Sequence, residues 1–356
     1  MKMFEHGGNI YCIKNPAISW LDFSANINPL GLSETVEKSI RDNIGGLVHY
    51  PDPSGRELKQ AISQYYGVSD NSLVLGNGAA ELMYVFFHSI ETRNVLIPVP
   101  SFSEYERAAI SGGARITYHY LRPENRFQLL KKEILAKLKE MDCFIIGNPN
   151  NPAGNLVKRD DVRSFCEAGK VAGTFIVVDE SFMDFVPGRE EYTALGLEEE
   201  FDNLIILQSM TKFYAIPGLR LGFAVMDEKL ARRLEMAKDP WNVNLLAHCA
   251  GTAALGDRVY QSRTRETVAA NKEALYNSLK KIPGLKVFPP TVNFVMMDIR
   301  NTGLTAAALS LKLRESGVLI RDCSNYPGLD EYYVRVAVRL NEENEILVKG
   351  IQEALQ

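Results

Sequence analysis

The stretch SMTKFYAIPGLRLGF, residues 209–223, follows the apolar run LIIL at 204–207 and sets a lysine among hydroxyl groups. Most lysines are solvated at the surface, because a charged amine is rarely buried without a partner, and that reading stays open for Lys212 taken alone. Its surroundings point elsewhere. Lys212 comes directly off a strand-like run, Ser209 and Thr211 precede it, and Arg220 lies eight residues on, within reach of the same anion as those hydroxyls. A lysine partly desolvated and close to another cation has a lowered pKa, the condition a Schiff-base nucleophile needs.

LIILQS is one of seven short apolar runs between about residues 73 and 226; the others are SLVLG, NVLIPV, RITYHY, CFIIG, FIVVDE and LGFAVM. Runs of this length, rich in β-branched residues and separated by helical or charged stretches, predict an α/β domain with a largely parallel sheet covered on both faces. Four runs end in polar residues or glycine: Gly76-Asn77-Gly78, Gly147-Asn148-Pro149, Asp179-Glu180 and Ser209 to Lys212. Ligands of open α/β sheets bind beyond the carboxyl ends of strands, so these ends are expected to converge. After Pro240 a helical region leads into LKVFPPTVNFVMMDI, GVLIRDC and YYVRVAVR, three strand-like runs with helices between and after, which predicts a smaller α+β domain. The expected division is an N-terminal arm at 1–30, a large domain at 31–240 and a small domain at 241–356.

Composition is that of an ordinary soluble enzyme, 46% hydrophobic and 24% charged, and the net charge of −4 gives no electrostatic case for nucleic acid or an anionic membrane. An anion must therefore be held locally. Cys12, Cys143, Cys166, Cys249 and Cys323 are scattered, with no spacing that suggests a metal site or a redox pair. The first residues lack the basic stretch and apolar core of a signal peptide, and no apolar run approaches the roughly 18 to 20 residues that span a bilayer. The expectation is a cytoplasmic protein without a metal.

Asp179 ends a run apolar enough that its carboxylate needs a cation or hydrogen bonds to offset lost solvation. It reads as a helix N-cap or, beside a Schiff-base lysine, as the group that keeps a pyridinium nitrogen protonated. NPNNPAG, residues 148–154, is a turn, either a plain connection or one that presents the Asn151 amide to a ring oxygen. GNGAAEL, residues 76–82, is a strand-to-helix turn whose amides can cradle a phosphate.

With GNGAAE, PSFSEY, NPNNPAG, DESF and SMTKFYAIPGLRLG in this order, the chain resembles the fold-type I aminotransferase superfamily of pyridoxal-phosphate enzymes over essentially its whole length. The resemblance implies that Lys212 carries pyridoxal 5'-phosphate, Asp179 pairs its ring nitrogen and Asn151 bonds its ring oxygen. It further implies that Ala79, Ala80, Ser209, Thr211 and Arg220 surround the phosphate and that Phe102 stacks on the ring. Tyr50, in HYPDPSG, resembles the tyrosine that reaches the neighbouring subunit's phosphate, which implies a homodimer with a shared active site.

The general resemblance within the superfamily is to the histidinol-phosphate aminotransferase group. HGGNIY (6–11), DFSANINPLG (22–31), KFYAIPGLRLG and CSNYPGLDEYYVRVAVR (323–339) are similar to the threonine-phosphate decarboxylases of cobamide biosynthesis. Phe182 stands three residues after the aspartate, where aminotransferases of this group commonly carry a tyrosine; as an isolated aromatic it also reads as packing. Arg335 lies where family members bind a substrate anion, and Arg321 is near it on the preceding strand. Two guanidinium forks suit a phosphorylated amino acid, and His6 and Asn28 are expected to complete the substrate pocket. The expected reaction is decarboxylation of L-threonine O-3-phosphate to (R)-1-aminopropan-2-yl phosphate and CO2. The alternatives are decarboxylation of L-serine O-phosphate, transamination of histidinol phosphate, and a non-catalytic cofactor-binding relative.

Overall fold

The computed structural model describes residues 6–11 and 20–356; Cys12 lies outside the described residues. A first short strand, β1 (Leu21–Asp22), precedes the main sheet. All seven apolar runs then become strands of one sheet: β2 (Leu73–Gly76), β3 (Asn94–Val99), β4 (Arg115–Tyr120), β5 (Cys143–Gly147), β6 (Phe175–Asp179), β7 (Leu204–Ser209) and β8 (Gly222–Met226). Their order is β2-β8-β7-β6-β5-β3-β4, with β8 antiparallel to both neighbours and β3 to β7 parallel.

Alternation along these strands feeds two cores. Phe144, Ile146, Ile176, Val178, Leu204 and Ile206 join one apolar cluster, while their neighbours Cys143, Ile145, Val177, Ile205 and Leu207 join another on the opposite face. Both faces being covered, every residue of β5, β7 and β8 is buried, as a doubly covered sheet requires.

The C-terminal region adds β9 (Lys286–Val287), β10 (Phe294–Asp298), β11 (Val318–Leu319), β12 (Arg321–Asp322) and β13 (Tyr333–Ala337). Four of these form an antiparallel sheet in the order β12-β13-β10-β9, and β11 pairs in parallel with β1. Two expected strands are each divided. Pro289 and Pro290 cannot donate to a ladder and separate β9 from β10, and the chain changes partner at Ile320, between β11 and β12. The C-terminal core gathers Leu275, Val295, Val334, Leu347 and also Phe23 of the arm. Residues 243–268, placed with the small domain from sequence, instead contribute Val243, Ala247, Ala250, Tyr260 and Val268 to a core of the main sheet. Helix Leu245–Gly256 there packs against helices Glu34–Asn43 and Arg56–Tyr66.

Sheet register positions the site. Gly222 of β8 is paired with Gly76 on one side and Ser209 on the other, and Gly147 of β5 is paired with Asp179. A Cβ on Gly222 would stand 2.4 Å from the Ala79 amide nitrogen and 2.8 Å from the Gln208 carbonyl oxygen, so a side chain there would push a helix start off the sheet. Gly222→Ala is accordingly expected to destabilise the fold by about 1–3 kcal/mol, read as a lower denaturant midpoint at unchanged slope.

Candidate active site

A cleft of about 280 Å³ opens at the carboxyl ends of β5, β6 and β7, where the strand ends converge. Lys212, Asp179, Asn151, Ala79, Ala80, Phe102, Ser209, Thr211 and Arg220 line it from the main sheet's side, and Arg321, Arg335 and His6 from the other.

Helix Ala79–Ser89 begins at the cleft wall. Its N-cap is Gly78, at φ 80°, which has no side chain to cap the first amides, and helix-start amides lack intrahelical partners. A Cβ at Gly78 would lie 2.5 Å from the Arg220 guanidinium, so only glycine lets that cation approach the helix start. Arg220 itself adopts a left-handed φ of 59°. The Ser209 and Thr211 hydroxyls lie 2.8 Å apart on the same wall, and both residues are buried. Amides, hydroxyls and a guanidinium around one space are groups that can cradle a phosphate.

Lys212 Nζ donates to Ser209 Oγ at 2.9 Å and lies 5.6 Å from the centre of the Phe182 ring. Desolvation lowers its pKa to about 8, with Arg220 adding to the effect and Asp179 opposing it. At pH 7 about one amine in ten is then neutral, roughly 300-fold more than at the ordinary lysine value. Asp179 is buried; Oδ2 accepts the Tyr105 hydroxyl at 2.7 Å and Oδ1 the Ser181 amide at 2.9 Å. Its neighbour Glu180 points away, held by Thr193, Ala194 and Gln208.

The three asparagines of NPNNPAG divide their work. Asn148 bonds Val157 and Tyr192, Asn150 bonds the Pro100 carbonyl, and only Asn151 reaches the cleft. Arg335 donates to Asn151 Oδ1, which leaves the amide's two N–H groups for an acceptor.

Arg321 and Arg335 are directly paired across β12 and β13. Like charges in direct register repel, so the arrangement favours an anion between them. Arg335 is 4% exposed, donates to the Ser24 carbonyl at 2.8 Å, leaves Nε without a partner, and forms no ion pair among the described residues. Arg321 donates to Asn325 at 2.6 Å and lies over Tyr326. His6 reaches in from the arm, with Nε2 2.9 Å from Glu104 Oε1 and its ring 5.6 Å from that of Phe102.

One expected residue is corrected. Asn28 does not line the cleft: its amide donates to the Phe213 carbonyl, Tyr260 and Thr264, and its oxygen accepts from Leu30. Asn26 lines the cleft instead, 5% exposed with Oδ1 unpartnered. A tight bend, with the Ile27 amide bonded to the Ala25 carbonyl, turns the two asparagines apart; only the neighbouring asparagine in SANINPLG hinted at it. Tyr105 had no sequence signal beyond following Phe102 closely. Tyr50 lies outside this cleft, exposed and 4.7 Å from the Trp241 ring.

The uncapped helix start, the Gly78 gap and the unpartnered Asn26 oxygen all fit a phosphorylated ligand with further polar groups. Labelling of Lys212 by an aldehyde followed by borohydride should rise with pH through a midpoint near 8, and peptide mapping across pH checks it. A midpoint near 10.5, the usual lysine value, would contradict the desolvated amine.

The chain is similar to known proteins over nearly its whole length. The threonine-phosphate decarboxylase of Salmonella typhimurium is 34% identical over 98% of this chain and 96% of its own. Among solved structures, the histidinol-phosphate aminotransferase from Clostridium acetobutylicum has a TM-score of 0.88 at 30% identity, covering 94% of this chain and 99% of that one. The L-threonine-O-3-phosphate decarboxylase from Porphyromonas gingivalis has a TM-score of 0.84 at 28% identity, covering 94% and 98%. Residues 18–351 match the family model "Aminotransferase class I and II", and the chain belongs to that family.

Proposed function

We propose that this chain is a pyridoxal-phosphate-dependent decarboxylase that converts L-threonine O-3-phosphate to (R)-1-aminopropan-2-yl phosphate and CO2 in cobamide biosynthesis. The observation that carries it is the Arg321–Arg335 pair, two guanidinium groups in direct register facing the half of the cleft that holds Lys212 and Asp179. A fork-shaped cation pair suits the substrate's side-chain phosphate.

Bound pyridoxal phosphate supplies an aldehyde that condenses with amines and a ring that accepts the electron pair of a broken Cα bond. In this reading the Ala79 and Ala80 amides, Ser209, Thr211 and Arg220 hold its phosphate, Asp179 keeps the ring nitrogen protonated, and Asn151 donates to the ring oxygen. Phe102 covers the ring face. Arg321 and Arg335 would grip the substrate phosphate, with His6 and Asn26 lining the same cleft, which would leave the substrate carboxylate without a cation of its own and free to turn. Its orientation selects the bond that breaks. As CO2 leaves, Lys212 Nζ supplies the proton that replaces it at Cα. Phe182 places an apolar ring, without a hydroxyl donor, beside Lys212.

Product analysis tests the reading. Purified protein with pyridoxal phosphate and L-threonine O-3-phosphate should release CO2 and an aminopropanol phosphate, and form no glutamate with histidinol phosphate and 2-oxoglutarate. Glutamate without CO2 would make it a transaminase. A faster reaction with L-serine O-phosphate would move the assignment to that substrate, which one methyl group separates by only about 1–3 kcal/mol.

We also read the chain as one half of a homodimer with a shared active site, in the cytoplasm. Tyr50 is 80% exposed and its neighbour Val48 81%, with Leu47, Ile44 and Trp241 exposed nearby. An apolar patch of that kind calls for a cover. Cys143, Cys166 and Cys323 are buried free thiols, which suits a reducing compartment, and no described helix is long and apolar enough to cross a membrane. Val48→Glu should halve the sedimenting mass and loosen cofactor retention; a wild-type monomer that keeps its cofactor would rule out the shared site.

A further inference from the structure

Beyond the residues that would touch the cofactor, one buried side chain joins two of them. We propose that Tyr105 is a positioning residue for the cofactor ring, fixing the Asp179 carboxylate with its hydroxyl and the Phe102 ring with its own. The inference rests on the reading of Asp179 as the partner of the ring nitrogen.

Tyr105 is the second residue of helix Glu104–Ser111 and is 2% exposed. Its hydroxyl donates to Asp179 Oδ2 at 2.7 Å, and its ring stands edge-on to Phe102, with centres 5.6 Å apart and planes at 84°. Among the described residues no other side chain donates to Asp179; the remaining donor is the Ser181 amide, two residues along the same chain, on Oδ1. With one donor on each oxygen, the carboxylate plane is set. Removing the Tyr105 donor leaves only the local turn, about which the carboxylate can rotate.

The slot for this hydroxyl is built by the sheet. Gly147, the register partner of Asp179, would carry a Cβ 3.0 Å from the Tyr105 oxygen, tight enough to require the hydroxyl to shift. Burial, and then the charge of Asp179, raise the phenol's pKa well above its usual value, so it remains a donor over the working pH range. With a donor on each oxygen, the Asp179 carboxylate is held aimed, ready to pair a protonated ring nitrogen.

Tyr105→Phe keeps the edge-on ring and deletes only the hydroxyl. The test is the dissociation constant of two probes, pyridoxal phosphate and its 1-deaza analogue, in which carbon replaces the ring nitrogen, each titrated into wild type, Tyr105→Phe and Asp179→Ala. The variant should bind pyridoxal phosphate about tenfold more weakly, the scale of one hydrogen bond to a charged group, and bind the deaza analogue nearly as wild type does. Equal losses for both probes would show that the hydroxyl only supports local packing, and no loss for either would show that Asp179 does not need it; both results overturn the proposal. If Asp179→Ala binds pyridoxal phosphate as tightly as wild type, the assignment of Asp179 itself fails, an outcome distinct from failure at Tyr105.

Discussion

The contact between β8 and the helix start behind it, made across a glycine with no room for a side chain, sets the geometry on which the rest of the site depends. Because Gly222 pairs with Gly76 and with Ser209, the turn that carries Gly78 and the turn that carries Lys212 are held one strand apart on either side of it. The amides of one and the hydroxyls and amine of the other then border a single space. Arg220 enters it from the loop between β7 and β8, where Gly78 leaves an opening. Backbone packing thus places a cation, an amine and a helix start together before any ligand is considered.

Charge makes that space selective. The chain as a whole is acidic, with a net charge of −4, yet Lys212, Arg220, Arg321 and Arg335 all border one cleft, and Asp179 faces them with its oxygens already engaged. Like charges gathered around one space repel, and an anion bound among them offsets that repulsion. Two cation groups line it from different sides, Arg220 on one wall and the arginine pair on the other. The desolvation that lowers the pKa of Lys212 belongs to the same enclosure.

Much of this was legible in the chain. All seven runs named from their apolar, β-branched character are strands of the main sheet, because a strand covered on both faces has little choice of composition. The residues at their ends, Asp179, Asn151, Ser209 and Lys212, meet in the cleft because ligand sites of such sheets form there. What escaped was decided by single bends and long-range packing. A tight turn at Ile27 puts Asn26 rather than Asn28 into the cleft, and nothing in the spacing of two asparagines announces a turn between them. GVLIRDC reads as one strand, yet it serves two sheets, since β1 must first arrive from a distant part of the chain. Residues 243–268 look like the opening of a new domain by composition, but their apolar face fits helices near the start of the chain.

Ser24 shows how closely the two ends of the chain depend on each other. Its carbonyl accepts from Arg335, its hydroxyl accepts from the Gly8 amide, and the same hydroxyl donates to Asp22. Gly7 lies so close beneath it that a Cβ would fall 2.1 Å from the Ser24 oxygen. The lip of the cleft and the arginine at its back are therefore mounted on one residue. Replacing the arm would disturb the seat of Arg335 unless the Asp22–Ser24 turn were kept with it, so these distant segments can be exchanged only together.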